Sequence, residues 1–202
     1  MPVLALIAAS ALVAAHWDKP VVGQDDYPQT ALLKEKSAAA ILEILTDPEG
    51  KVIRCEAAGA AGDKQLAQEM CDIAKRKAAT PARDADGKPA YGYSRTFASL
   101  SLPGTSQDDE IGNLGPNPDI DFSVASIPAG ISSPVLVSLT IAVDKGGKAT
   151  ECEVASTSSA AFGAAGCQQI KGMSFDKLTD ANGNSISYVR PMTVRFSLDE
   201  KS

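Results

Sequence analysis

Four cysteines, a lone histidine and two close carboxylate pairs are the residues of this chain whose types and spacing could do chemistry. Cys55, Cys71, Cys152 and Cys167 form an even set that fits either two disulfides or four small buried hydrophobes. There is no C-x-x-C, and His16 is the only histidine, so the sequence argues against a zinc centre and against a thiol oxidoreductase. Nucleophilic catalysis needs a nucleophile beside a base, usually histidine. His16 lies ahead of every segment that reads as folded, which removes Ser/His/Asp and Cys/His schemes. Two carboxylate pairs remain for acid–base work, Asp25 with Asp26 and Glu151 with Glu153. Glu151 and Glu153 share a strand face opposite Cys152 and are expected to point to solvent. The reading is a protein that is not an enzyme and has no metal or cofactor.

The elements that position these residues come in two copies. Cys55 and Cys152 are 97 residues apart, and Cys71 and Cys167 are 96 apart. The turn Asp47-Pro48-Glu49-Gly50-Lys51 recurs as Asp144-Lys145-Gly146-Gly147-Lys148, and Ala85-Asp86-Gly87-Lys88 recurs as Ala181-Asn182-Gly183-Asn184. Landmarks holding one offset within a residue signal an internal repeat. Each copy reads as a strand (37–46 or 135–143), a second strand (52–58 or 149–156), a helix (63–79 or 162–172) and a last strand (91–102 or 188–198). Leu66, Met70, Ile73 and Ala74 make a core-facing helical stripe. The second helix carries three glycines, each costing about 1 kcal/mol against Ala, and is expected to be the weaker.

The cysteines occupy equivalent places, one on the second strand and one on the helix. Cys55–Cys71 with Cys152–Cys167 is the connectivity chosen, because it treats the copies alike. Closing such a loop should stabilise each copy by about 3 kcal/mol. The expected fold is α+β: two tandem small domains, each an antiparallel sheet of about three strands packed by one or two helices. Residues 25–102 form the first, 103–120 a linker and 121–199 the second. The Gly/Pro content and the acidic run Asp108-Asp109-Glu110 suggest a solvated tether, so the first domain is expected to fold alone.

Residues 3–15 are uncharged and apolar, too short to span a bilayer comfortably. Val13-Ala14-Ala15 offers small residues for leader cleavage, although nothing basic precedes Lys19. Residues 1–15 are therefore expected to be a signal peptide or a short anchor, and even-numbered cysteines fit export to an oxidising compartment. The formal charge of −6, with 25 acidic groups against 19 basic, argues against a nucleic-acid partner.

Asp26-Tyr27-Pro28-Gln29-Thr30-Ala31-Leu32 resembles the Y-P-x-x-A entry of the TonB C-terminal domain family. Asp47 to Val52 is similar to that family's D-x-x-G-x-V hairpin, and Ala79 to Pro89 to its proline–alanine segment. The resemblance covers roughly Tyr27–Leu102 and, more loosely, Asp121–Leu198. The second copy lacks the Tyr-Pro entry, and the chain lacks a long proline-rich spacer. The resemblance implies entry-motif roles for Tyr27, Pro28 and Ala31. It also implies a periplasmic module that pairs its last strand with an extended segment of an envelope protein or outer-membrane receptor, with a link to energy transduction or transport and an inner-membrane association through the N-terminus.

The candidate edges are Tyr91–Leu102 and Tyr188–Leu198. Pro191 blunts the second, which leaves Tyr93, Arg95, Thr96, Phe97, Ala98 and Ser99 as the peptide-binding strand. The alternatives are a passive scaffold of the cell envelope whose edges are capped by the chain itself, or a carboxylate-based enzyme.

Overall fold

The computed structural model describes residues 12–104, 108–115 and 117–199. The first repeat holds α1 (Gln29–Leu32), β1 (Ala38–Thr46), β2 (Val52–Gly62), α2 (Lys64–Lys75), β3 (Ala82–Arg83) and β4 (Pro89–Leu100). Between the repeats lie α3 (Asp108–Asn113) and β5 (Ile120–Val124). The second repeat holds β6 (Val135–Val143), β7 (Ala149–Thr157), α4 (Ala160–Ile170), β8 (Leu178–Thr179), β9 (Ser185–Ile186) and β10 (Tyr188–Leu198).

The repeat expected from the sequence is visible in the turns. Asp47, Asp84, Asp144 and Asp180 each accept backbone N–H groups two and four residues later through one carboxylate oxygen. Each turn then reverses on a glycine with φ between 77 and 84° (Gly50, Gly87, Gly147, Gly183), a conformation that a Cβ penalises. Four similar D-x-x-G turns therefore close four hairpins, two in each repeat. Both disulfides lie within a repeat, Cys55–Cys71 and Cys152–Cys167, with Cα atoms 5.4 and 5.5 Å apart. They tie α2 to β2 and α4 to β7.

The expectation of two separate small domains is corrected. The repeats merge into one eight-stranded sheet with the main order β2-β1-β4-β10-β6-β7, joined where Tyr91 and Gly92 pair in parallel with Tyr188 and Val189. Strand parity puts the helices on opposite faces. Leu42 and Ile44 of β1 pack with Leu66 and Met70 of α2 in one core. Their neighbour Leu45, with Tyr93 of β4, instead joins Val137, Leu139 and Ile170 in the second core. The first repeat thus completes the core of the second.

Segments outside the repeat, which the sequence reads as linker and leader, cover the remaining faces. The acidic run is not a free tether: α3 packs on β2, Ile111 is buried, Glu110 accepts from the Gly62 N–H, and Leu114 reaches over Gly59. Residues 1–11 of the expected leader lie outside the described residues. Leu12 and Ala15 are 6% and 7% exposed in a third core with Ala79, Ala82 and Val189, and His16 pairs with Thr80. His16 is thus inside the folded body rather than ahead of it. The glycines of α4 also have a use: a Cβ on Gly163 would sit 3.1 Å from Val154, so the helix lies close to the sheet because they lack one.

Candidate functional site

The strand singled out by the sequence, β4, is half closed. All of it from Gly92 to Leu100 pairs with β1 on one side. Ahead of that stretch β3 pairs Pro89 and Ala90, and on the other side β10 takes Tyr91 and Gly92. From Tyr93 to Leu100 no strand among the described residues pairs with that outer side.

Pro191 explains why the parallel ladder stops. Thr193 donates its N–H to the Asp119 carboxylate Oδ2, and its carbonyl accepts the Asp119 N–H, both at 2.8 Å. Its backbone therefore faces away from β6. Pro191, two residues earlier, has the same orientation and no N–H to give β4. Beyond that point β4 and β10 diverge, and β5 occupies the β10 side in parallel register from Ile120 to Val124. Arg195 holds Asp121 through two guanidinium nitrogens, which fixes β5 there.

The parity of β4 follows. The Leu102 N–H reaches Ser37 on the β1 side, as do the backbone groups of its even-numbered neighbours in the strand. Arg95, Phe97 and Ser99 then aim their N–H and carbonyl groups into the opening. Thr96 and Ala98 spend theirs on β1. Side-chain placement matches: Tyr93 and Ala98 are buried, Phe97, Thr96 and Ser99 half-buried, and Arg95 exposed.

A cleft opens on each face of this wedge. On the α4 face a cleft of about 360 Å³ is lined by Tyr93, Arg95, Asp119, Phe175 and Arg190, with Glu43 at its rim. Arg190 is 9% exposed, lies 5.1 Å from the Tyr93 ring centre and 5.8 Å from that of Phe175, and donates to Asp119 at 2.7 Å. Burial pushes the Tyr93 hydroxyl well above its ordinary pKa, and the Glu43 charge adds to this while Arg190 opposes it. Burial likewise pushes Tyr188 up to about 12 against the pull of Arg190. Both phenols stay neutral donors at physiological pH, and Tyr188 gives its proton to the Asp176 carbonyl at 2.9 Å. On the opposite face residues 15–21 border the wedge beside Ser94, Thr96 and Pro191.

Other expected site residues lie elsewhere. The second candidate edge, Tyr188–Leu198, is corrected: β10 is paired by β6 on one side and by β4 and β5 on the other. Tyr27 donates its hydroxyl to the Lys36 carbonyl, Pro28 precedes α1, and Ala31 is buried against the first core. The entry motif anchors the chain on α2 and does not reach the wedge. Asp26 is bound to Lys77, Glu151 is exposed, and no group of three or more His, Cys, Asp or Glu among the described residues is placed to hold a metal ion.

The sequence reading missed Arg190 and Asp119. The signal was present: Tyr188, Arg190, Met192, Val194 and Phe196 share one face of a strand, and an arginine among them has to find a partner in the interior. Compared with protein-family models, curated protein sequences and solved structures, the chain matches none of them.

Proposed function

We propose that this chain is an extracytoplasmic protein-binding module that receives an extended peptide segment on the outer side of β4. The observation that carries the reading is the run Arg95, Phe97 and Ser99, whose backbone donors and acceptors face an opening flanked by clefts on both faces. Strand addition needs unpaired backbone groups for affinity and pockets on alternate sides for specificity. The resemblance to TonB C-terminal domains points the same way, with an envelope protein or outer-membrane receptor segment as partner and a place in the periplasm. Two disulfides fit an oxidising compartment, and no helix among the described residues is long and apolar enough to cross a membrane.

Proline scanning tests it, with a displayed library of random heptapeptides as probe. Arg95→Pro and Phe97→Pro remove donors that serve no ladder, so both variants should melt near the parent temperature and lose the peptides that the parent enriches. Thr96→Pro and Ala98→Pro break bonds to β1 and should unfold the protein. If the parent enriches no peptide, or all four variants unfold, the strand is unavailable. The passive-scaffold reading, which the complete pairing of β10 favours, then replaces strand addition.

A further inference from the structure

Beside the β4 opening, the chain lays its own residues 12–16 along the segment that leads into β3. Val13 and Arg83 exchange backbone bonds of 3.1 and 2.8 Å, and His16 and Thr80 exchange bonds of 3.3 and 2.8 Å. Both pairs have one antiparallel register (13 with 83, 16 with 80), so residues 13–16 lie along the edge of Thr80–Arg83 as two isolated bridges three residues apart. Side-chain seating is specific. Leu12 and Ala15 are the buried residues, three positions apart, against Ala79, Ala82 and Val189. A Cβ on Gly92 would lie 2.5 Å from that of Ala15. The floor under Ala15 is bare backbone, and it admits a small side chain only.

The seated segment fits imperfectly. Trp17, which follows it, buries its indole N–H with no acceptor among the described residues, a costly arrangement that a better occupant relieves. Asp18, Lys19 and Pro20 are exposed, so the seated segment is joined to the body by an open connection. The small-residue stretch that the sequence offers for cleavage ends at Ala15; a cut there would empty the slot.

We propose that the slot between Thr80–Arg83 and Gly92–Val189 is a docking site for an extended segment with a large aliphatic residue and, three positions later, Ala, Ser or Gly. The chain's own Leu12-Val13-Ala14-Ala15 is its occupant in cis, and a partner segment of that chemistry exchanges with it. This site uses different backbone groups from the outer side of β4, so each stands or falls without the other.

The test starts from the full chain carrying a site-specific protease sequence in place of Asp18–Lys19, folded and oxidised, then cut. The released N-terminal piece should separate on gel filtration under native conditions while the far-ultraviolet circular dichroism of the body is kept. A fluorescent peptide of residues 12–17 should then bind the cut protein one-to-one and the uncut protein not at all. The same peptide with Ala15→Leu should bind at least tenfold more weakly, because Gly92 leaves no room. Arg95→Pro in the cut protein should leave this binding unchanged, which separates it from strand addition at β4. Retention of the piece, loss of the fold on cutting, failure of the peptide to rebind, or equal affinity for the Ala15→Leu peptide each overturns the proposal.

Discussion

Gly50→Ala is the substitution whose cost the structure lets one work out in parts. Gly50 closes the β1–β2 turn at φ 84°, and a Cβ there would lie 2.1 Å from the carbonyl oxygen of Ala79. A left-handed conformation costs an ordinary residue about 1–2 kcal/mol. The carbonyl must also withdraw by about 1 Å, which strains the segment after α2 and the 2.8 Å bond from the Ala79 N–H to the Gly50 carbonyl. Losing such a bond costs about 1 kcal/mol. The sum is about 2–3 kcal/mol. Gly183 is the control, with φ 83° and no atom of the described residues within 4 Å of its Cβ position. Gly183→Ala should cost only the first part, and the loss of unfolded-chain entropy is common to both variants and cancels. Gly147 repeats the geometry of Gly50, with the Phe175 carbonyl at 2.4 Å and a 2.7 Å bond from the Phe175 N–H, and should behave like it. In urea, with a slope of about 1–3 kcal/mol per molar, Gly50→Ala and Gly147→Ala should unfold at midpoints about 0.5 M below that of Gly183→Ala. Equal midpoints for the three would mean that the turns do not pack on the strands after the helices, and the shared geometry of the repeats would lose its energetic meaning.

Non-reducing peptide mapping should find only bridges within a repeat, and Cys71→Ser or Cys167→Ser should each lower stability by about 2–5 kcal/mol; a Cys55–Cys152 peptide refutes the pairing. Asp63→Asn keeps an N-cap for α2 while removing the charge that Lys36 holds at 2.6 Å. The Lys36 hydrogen bond and the Leu66 N–H keep the Asp63 carboxyl below its usual range, so it stabilises the fold above about pH 4 and loses that effect as acid protonates it. The variant should therefore be weaker at pH 7 and equal to the parent near pH 2, and a gap independent of pH would exclude the ion pair as the cause. A fragment of residues 25–102, although it holds a complete repeat, should show no cooperative melt, because Leu45 and Tyr93 lose the core they share with β6 and β10; a sharp melt would restore the two-domain reading.

The repeat was legible because its carriers are local. D-x-x-G turns need an acceptor side chain and a glycine at fixed spacing, alternating Val/Leu/Ile marks β6, and the Leu66–Met70–Ile73 stripe marks α2. Each leaves a trace within ten residues. Joining the repeats left almost none. The junction is two residue pairs long, between Tyr91-Gly92 and Tyr188-Val189, and only Pro191 hints at where it must end. The shared core of Leu45 and Tyr93 joins the repeats from within, and the segments whose composition reads as leader and tether cover what is left. Each repeat has a helix on one face and, with the helices on opposite sides, a second face that needs cover. Leu12, Ala15 and Val189 meet on the bare side of the second repeat. Leu114 reaches over Gly59 on that of the first. A run such as Val13-Ala14-Ala15 is short and apolar whether a peptidase or a groove receives it, so composition cannot choose between the two. Burial beside Gly92 shows where Ala15 sits in the folded chain: its side chain rests on bare backbone. The same crossing puts residues 15–21 along one face of the β4 opening and Asp119 along the other, which makes the covering segments the walls of the candidate site as well as the seal on the core.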